Sequence, residues 1–301
     1  MGTRGSELAL AQTRAFVRRM TRARPGIHLE ERIIKTSGDV FATKPIQQFG
    51  GYGVFVRDID LRILRGEIDL AVHSLKDIPT RMVEGLEVAA YLPRRGGRDV
   101  LVSHVSLDDL PSGAVVGTSS VRRRAQLLRH RRDLEVRPIR GNVTTRIEKW
   151  KRGEYDAIVL SKAGLIRLGL EVDSHELDPS GFVPSPGQGV VAVTALKDSE
   201  AFHLAREVDH ERTRLEAVAE RSVLSALGGG CLVPIGVMAR LRGHSVRIMG
   251  EILSRDGEKS LCLERTFDQE EAVRCAARLA EELLNKGGAI LIEDTIKEVK
   301  G

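Results

Sequence analysis

The chain has 301 residues, 42% hydrophobic and 30% charged, with a formal net charge of +5, which gives room for two or three compact domains. No stretch approaches the roughly 20 apolar residues of a membrane-spanning helix. Three widely spaced cysteines, Cys231, Cys262 and Cys275, exclude a disulfide framework or cysteine zinc site, and the eight histidines show no HExxH pattern, so no metal is expected.

The first twenty residues, MGTRGSELALAQTRAFVRRM, interrupt their apolar run with Thr13 and Arg14 and offer no small-residue cleavage site, so the expected location is the cytoplasm. Leu8 to Met20 reads as a helix and ERIIKTSGD as a strand entering a turn. Asp58 to Leu64 is helical, and 68-IDLAVHS-74 is a buried strand closed by Pro79. Val115 and Val116 end a strand, and 119-SSVRRRAQLLRH-130 opens a helix. A strand at 156-DAIVLS-161 precedes a helix through Leu170. This alternation predicts α/β sheets with helices on both faces. A Pro/Gly turn in 184-PSPGQGVVAVTAL-196 leads into an apolar strand, and Ser199 to Leu227 reads as one long, mostly charged helical region. After Gly230 the texture changes. The runs 245-SVRIMGEIL-253 and 260-SLCLERTF-267, joined by 254-SRDGE-258, predict a hairpin. Asp268 with Glu271 forms a capping-box pattern. The helix it opens sets Ala272, Val273, Ala276, Leu279 and Leu283 on one face and stops at Gly287–Gly288. This last part is a small α+β domain, with no internal repeat or low-complexity linker before it.

The cations are 36 Arg against 11 Lys. Arg grips a carboxylate or phosphate through two parallel hydrogen bonds, and Lys cannot. The count alone is equally an Arg-rich genome, so position must decide. In 117-GTSSVRRRAQLLRH-130, Ser119 or Ser120 is an N-cap, which puts Arg122, Arg123 and Arg124 in the first turn. Cations there are unfavourable by about 0.3–1 kcal/mol each, so three together point to a bound anion unless they face water. Nine arginines, among them Arg140 and Arg146, lie between residues 121 and 150, against Asp133, Glu135 and Glu148. A polyanion fits. Nucleic acid is one candidate, but stacking aromatics are few and no nucleic-acid motif is present. A small polycarboxylate fits as well. Arg4 beside Ser6 at the start of the first helix repeats the pattern weakly, and a plain capped helix explains it too.

In 71-AVHSLKDIPT-80 a buried strand delivers Lys76 and Asp77 to its carboxyl edge, where open α/β sheets bind ligands. A carboxylate in a basic cleft can shuttle a proton or balance a cationic intermediate; a turn of no consequence is the alternative. His73 reads as a packed strand residue. Cys262 and Cys275 read as small buried apolar residues. Cys231 differs, because 226-ALGGGCLVPIG-236 clears side-chain bulk from the approach to its thiol. That suits a cysteine that meets something large.

Together TRGSELALAQ, KTSGD, AVHSLKDIPT, GTSSVRRRAQL, IRGNVTTRI, AGLIRLGL, PSPGQG and AERSVLSALGGGCLVPIG, in this order over residues 3 to 236, resemble the porphobilinogen deaminase (hydroxymethylbilane synthase) family of tetrapyrrole biosynthesis. The resemblance implies a covalent dipyrromethane cofactor joined to Cys231 by a thioether. It implies head-to-tail addition of four porphobilinogen molecules to that primer with loss of ammonia, then hydrolytic release of hydroxymethylbilane. Each ring carries an acetate and a propionate, so six rings present twelve carboxylates. By matching motif positions, Arg4, Ser6, Lys76, Ser119, Arg122, Arg123, Arg140, Arg146 and Arg167 are implied in holding them. Asp77 matches the catalytic aspartate, expected to bind pyrrole N–H groups and stabilise the cationic azafulvene. Phe55 is the expected lid aromatic.

The implied fold is two α/β domains like type II periplasmic binding proteins flanking a cleft, plus a small C-terminal α+β domain. The expected division is residues 1–92 with 188–208, residues 93–187, and residues 209–301. A monomer without nucleic-acid or membrane partners is the family expectation. The chain departs from the family at Gln48, where a basic residue is frequent, and at 95-RGGRD-99, where Glu-Asp-Pro-Arg-Asp is frequent. The competing readings are a non-catalytic polycarboxylate-binding protein of the same two-lobed fold and a nucleic-acid binder using the 121–150 run. Neither gives Asp77 or Cys231 a task.

Overall fold

The computed structural model describes residues 1–36, 56–228 and 230–300. Phe55, Gln48 and most of KTSGD lie outside the described residues, as does the side chain of Cys231.

The first α/β unit begins with β1 (Gly2–Thr3), α1 (Glu7–Ala23), β2 (Arg32–Ile33), α2 (Arg57–Leu64), β3 (Leu70–Ser74) and β4 (Leu86–Tyr91). The second holds β5 (Asp99–Val102), β6 (Val115–Gly117), α3 (Val121–His130), β7 (Glu135–Arg137), α4 (Val143–Lys151), β8 (Ala157–Ser161), α5 (Lys162–Leu168) and β9 (Ser174–Glu176). The chain then returns through β10 (Val191–Leu196), α6 (Glu200–Arg206) and α7 (Glu211–Leu227). The last part is β11 (Ile235–Arg242), β12 (Ser245–Leu253), β13 (Ser260–Asp268), α8 (Ala272–Leu283) and α9 (Ala289–Lys300).

Both large sheets have five strands and one plan. The first runs β2-β1-β3-β10-β4, the second β7-β6-β8-β5-β9. In each, three strands pair in parallel, and a strand from the crossover between the units inserts antiparallel beside them. Two lobes of the same topology exchanging two connections are the architecture expected of the type II periplasmic-binding-protein class. The local reasons are plain. β3 and β8 are apolar on both faces because helices cover both sides. In α1 the Ser6 hydroxyl accepts from the Ala9 N–H at 3.3 Å, and Phe16 and Met20 fill the sheet-facing stripe. The third sheet, β11-β12-β13, is antiparallel and packs one face on α7 and α8 around Val223, Ile248, Leu279 and Leu283.

The structure revises three local expectations and adds one helix. Ser199 to Leu227 is two helices, because the chain breaks where the His210 N–H donates to the Tyr91 carbonyl and the Asp209 carboxylate accepts from the Tyr91 N–H. The capping box does not form. Asp268 is still paired with Ser245 in the sheet, and Glu271 stands at the N-cap itself, its carboxylate paired with Arg274 rather than with a backbone N–H. Gly287, non-helical at φ 107°, ends that helical run as expected, but a further helix, α9, follows it. Cys275 is buried as expected, whereas Cys262 is exposed on an edge strand.

Candidate active site

Both lobes, the return crossover at 185–188 and the loop after α7 meet around a cavity of about 390 Å³, within the size range of small-molecule sites. Lys76 and Asp77 come from the turn after β3, and Ser119, Arg122, Arg123 and Arg146 come from the second lobe. Gly230, Leu232 and Val233, on either side of Cys231, come from the loop after α7. Residues more than 150 positions apart in sequence thus share one wall.

Asp77 ends a short 3-10 turn, Leu75–Asp77, closed by the Ile78 N–H on the Leu75 carbonyl at 3.0 Å. Its carboxylate is exposed to the cleft. Arg221 of α7 donates to the carbonyls of Ile78 and Pro79 at 2.8 and 2.6 Å. The turn that carries Asp77 is therefore strapped to the helix that leads into the Cys231 loop. Lys76 opens to the cleft but is surrounded by protein at longer range. That enclosure, then Arg123, push its ammonium down to about 8, against the smaller pull of Asp77 and Asp99.

Ser120, not Ser119, caps α3, its hydroxyl accepting from the Arg123 N–H. Ser119 donates to the Ile139 carbonyl at 2.7 Å. Arg122 and Arg123 are 5% and 8% exposed, and both close on one carboxylate, Asp99 at the start of β5. Arg122 Nη1 lies 2.8 Å from Asp99 Oδ2; Arg123 gives Nε and Nη2 to Oδ1 at 3.1 and 2.7 Å. Gln188 Nε2 adds a bond of 2.9 Å to the same oxygen. Burial by itself would raise the Asp99 carboxyl. The two guanidiniums outweigh it and hold the group well below the usual carboxylate range. Two cations against one anion leave the pair positive.

Arg146 gives its Nε to the Gly141 carbonyl at 2.8 Å; burial, then Arg123, push its pKa down to about 10. Arg167 donates to the Gly189 carbonyl at 2.7 Å and is likewise pushed down to about 10 by burial and Arg95. For both, the charged neighbours acting are cations. Arg4, Ser6, Arg140 and Arg167 do not line the cavity. Ser6 serves as the α1 cap, and the Arg140 carbonyl accepts from Lys149 Nζ.

The rest of the 121–150 arginine run is structural. Arg124 bonds the Val136 carbonyl, Arg129 pairs with Glu251, Arg131 with Asp133, Arg132 with Glu258, and Arg137 with Glu135. Asp133 and Glu135 each lie two residues from their partners, but Glu251 and Glu258 belong to the third sheet and its hairpin turn. The cations that remain at the cavity are Lys76, Arg122, Arg123 and Arg146. This is a donor set short of anions, and its chemistry fits a polycarboxylate guest.

Sequence reasoning missed Asp99 and Gln188 as members of the site, although both stand in quoted stretches, 95-RGGRD-99 and PSPGQG. It also missed the reason for the glycines in the first stretch. Gly96, at φ 52°, has no room for a Cβ, which would sit 2.7 Å from the Ala163 nitrogen, and a Cβ on Gly189 would sit 2.3 Å from the Arg95 carbonyl. The two crossover segments touch backbone to backbone. Arg94, between them, bonds the Gln188 carbonyl and pairs with Glu216 and Glu220 of α7. Glu220 in turn accepts from the Gly187 and Ala239 N–H groups at 2.7 and 2.8 Å. Among the described residues no group of acids, histidines and cysteines could hold a metal, and no helix is long and apolar enough to cross a membrane.

A family described as porphobilinogen deaminase, dipyromethane cofactor binding domain, matches residues 1–203, and its C-terminal domain matches residues 214–285. A probable porphobilinogen deaminase of Methanocella arvoryzae is 46% identical over 301 residues, covering 99% of both chains. The porphobilinogen deaminase of Syntrophomonas wolfei is 42% identical over 99% of this chain and 98% of its own. Among solved structures, substrate binding domain 2 of Lactococcus lactis GlnP aligns with a TM-score of 0.39 at 12% identity, over 66% of this chain and 76% of that one. With both family domains matched in order, and relatives aligned from end to end at this identity, the chain belongs to the porphobilinogen deaminase family, whose first matched domain binds dipyrromethane.

Proposed function

We propose that this chain is a hydroxymethylbilane-forming transferase. It condenses four porphobilinogen molecules head to tail on a dipyrromethane primer, losing one ammonia at each addition, and releases the product by hydrolysis. The observation that carries the reading is the cavity wall itself: an acid, four cations and the Cys231 loop converge on one space.

Each residue then has a task set by its chemistry. Lys76, Arg122, Arg123 and Arg146 hold the acetate and propionate carboxylates of the rings; Arg4, Ser6, Ser119, Arg140 and Arg167 complete the carboxylate-holding set. Asp77 accepts hydrogen bonds from pyrrole N–H groups. It stabilises the positive charge that develops on the substrate ring as the C–N bond to ammonia breaks, because a fixed carboxylate at a low-dielectric wall is worth more than water there. After C–C bond formation the ring carbon loses its proton, and Asp77 is the carboxylate at hand to accept it. Cys231 is the attachment point. The dipyrromethane group, when bound, supplies the nucleophilic pyrrole carbon from which the chain grows. Phe55 is the lid aromatic.

The same reading divides the chain into residues 1–92 with 188–208, residues 93–187 and residues 209–301. The return of β10 into the first sheet supports the first division. It has the protein act as a cytoplasmic monomer on a small molecule, with aromatic content of 4% too sparse for nucleic-acid stacking. The test is the intact mass under denaturing conditions, beside Cys231→Ala. Wild type heavier than its sequence by two linked pyrroles, with the variant bare, is expected. A wild type that stays bare after porphobilinogen or preformed hydroxymethylbilane is supplied refutes the reading.

A further inference from the structure

The second lobe meets the third sheet through α3, the helix that carries Arg122 and Arg123. Gly257, at φ 73° in the β12–β13 turn, sits directly on that helix; a Cβ there would stand 2.2 Å from the Ala125 carbonyl. Beside it Glu251 of β12 is fully buried, 0% exposed. Its Oε2 accepts from Gln126 Nε2 at 2.7 Å, and its Oε1 pairs with Arg129 Nη1. Gln126, also 0% exposed, gives the same Nε2 to the Val183 carbonyl at 2.9 Å. Its Oε1 accepts from Arg122 Nη1 at 2.9 Å.

The direction of this chain follows from donor and acceptor chemistry. An ionised carboxylate and a carbonyl can only accept, so both require the NH₂ side of the Gln126 amide. The amide oxygen is then forced toward Arg122. Without the charge of Glu251 the amide keeps one acceptor on its NH₂ side and can turn over, which would set two donors, its NH₂ and Arg122 Nη1, against each other.

We propose that Glu251 is a positioning residue for the polycarboxylate site. Acting through Gln126, and beside the Asp99 carboxylate and the Val183 carbonyl that Arg122 Nη1 also meets, it helps hold the Arg122 guanidinium at the cavity wall, so that the third sheet helps set the geometry of the carboxylate-binding helix. This rests on the function proposed above, because it takes Arg122 to hold a carboxylate of the primer. Glu251 also anchors Arg129 across the interface, so its loss costs stability as well, and the priming rate is what the relay controls beyond that cost.

The test uses full-length protein produced in a host that makes no porphobilinogen. Porphobilinogen is added, and intact mass and thermal midpoint are followed in parallel. Glu251→Gln is expected to gain the two-pyrrole mass about tenfold more slowly than wild type, the effect of misdirecting one charged hydrogen bond. Adding Gln126→Glu to Glu251→Gln returns an acceptor to Arg122 and a donor–acceptor pair between positions 126 and 251, but sets a carboxylate oxygen against the Val183 carbonyl, and is expected to recover only part of the rate. Arg132→Gln cuts the exposed pair with Glu258, 2.7 Å across the same interface, and is expected to prime like wild type. If Glu251→Gln does not fold, Gln126→Met carries the same expectation of slowing. A wild-type priming rate in Glu251→Gln, or a slowing that Arg132→Gln matches or that simply follows the thermal midpoint, overturns the relay and leaves the function standing. A wild type that never gains the mass refutes the function, and the relay with it.

Discussion

Replacing Asp99 by Asn keeps the size and one acceptor oxygen but removes the charge that Arg122 and Arg123 share. Both guanidiniums are nearly buried, so the variant leaves two like charges together in protein with no counter-ion. Removing one partner of a buried ion pair costs about 3–5 kcal/mol. At roughly 2–4 °C per kcal/mol for a unit of this size, the unprimed protein should melt about 10 °C lower. Priming should narrow the gap, because carboxylates brought to the pair replace the lost charge. The sign with pH follows from the depressed pKa of Asp99. A carboxyl whose folded pKa lies below its unfolded value of about 3.9 contributes its full stabilisation above that pH and loses it as pH falls further. The wild-type advantage in urea unfolding, followed by circular dichroism, should therefore be flat above about pH 5 and shrink below about pH 4. Equal melting of the two unprimed proteins, or an advantage that persists unchanged in acid, would refute the reasoning.

Asp77→Ala should fold normally, since its carboxylate takes no part in the backbone bond that closes its turn. Formation of hydroxymethylbilane should fall by at least about a hundredfold, and near-normal turnover would remove Asp77 from the chemistry. Lys76, pushed down to about 8, is charged below that pH and neutral above it. The KM for porphobilinogen should accordingly rise as pH passes through about 8, and Lys76→Arg should abolish that inflection; a KM profile identical in the two proteins speaks against a carboxylate contact. Arg122→Leu or Arg123→Leu should yield folded protein that acquires no primer, as read by intact mass. A fully primed variant would place the cofactor carboxylates elsewhere.

Much of the first two lobes was legible because their strands and helices are set by local periodicity. The apolar run LAVHS and the capped SSVRRRAQLLRH carry their structure in their own spacing. β11 was legible too and went unread: Ile235, Val237, Ala239 and Leu241 recur at every second position, with Met238 and Arg240 less buried than Val237 and Ala239, but the glycine-rich lead-in masked the pattern. The capping box at Asp268 failed for a non-local reason, since a residue held in a ladder with Ser245 cannot also cap a helix. Likewise the long helical region broke at Asp209 and His210 because Tyr91, more than a hundred residues away, needed both its backbone groups satisfied.

The sequence by itself determined the family, the acid and lysine at a strand's carboxyl edge, and a helix start crowded with arginine. Those features depend on residues within a few turns of one another. What tertiary structure alone decided is which arginines are free for a guest. Asp99 neutralises half of the Arg122–Arg123 charge from 24 residues before Arg123, and Glu251 orients Gln126 from 125 residues beyond it. Charge pairing acts through space, and its energy depends on burial and distance rather than on spacing along the chain, so an arginine count could announce an anion site but only the packed fold could say which side chains form it.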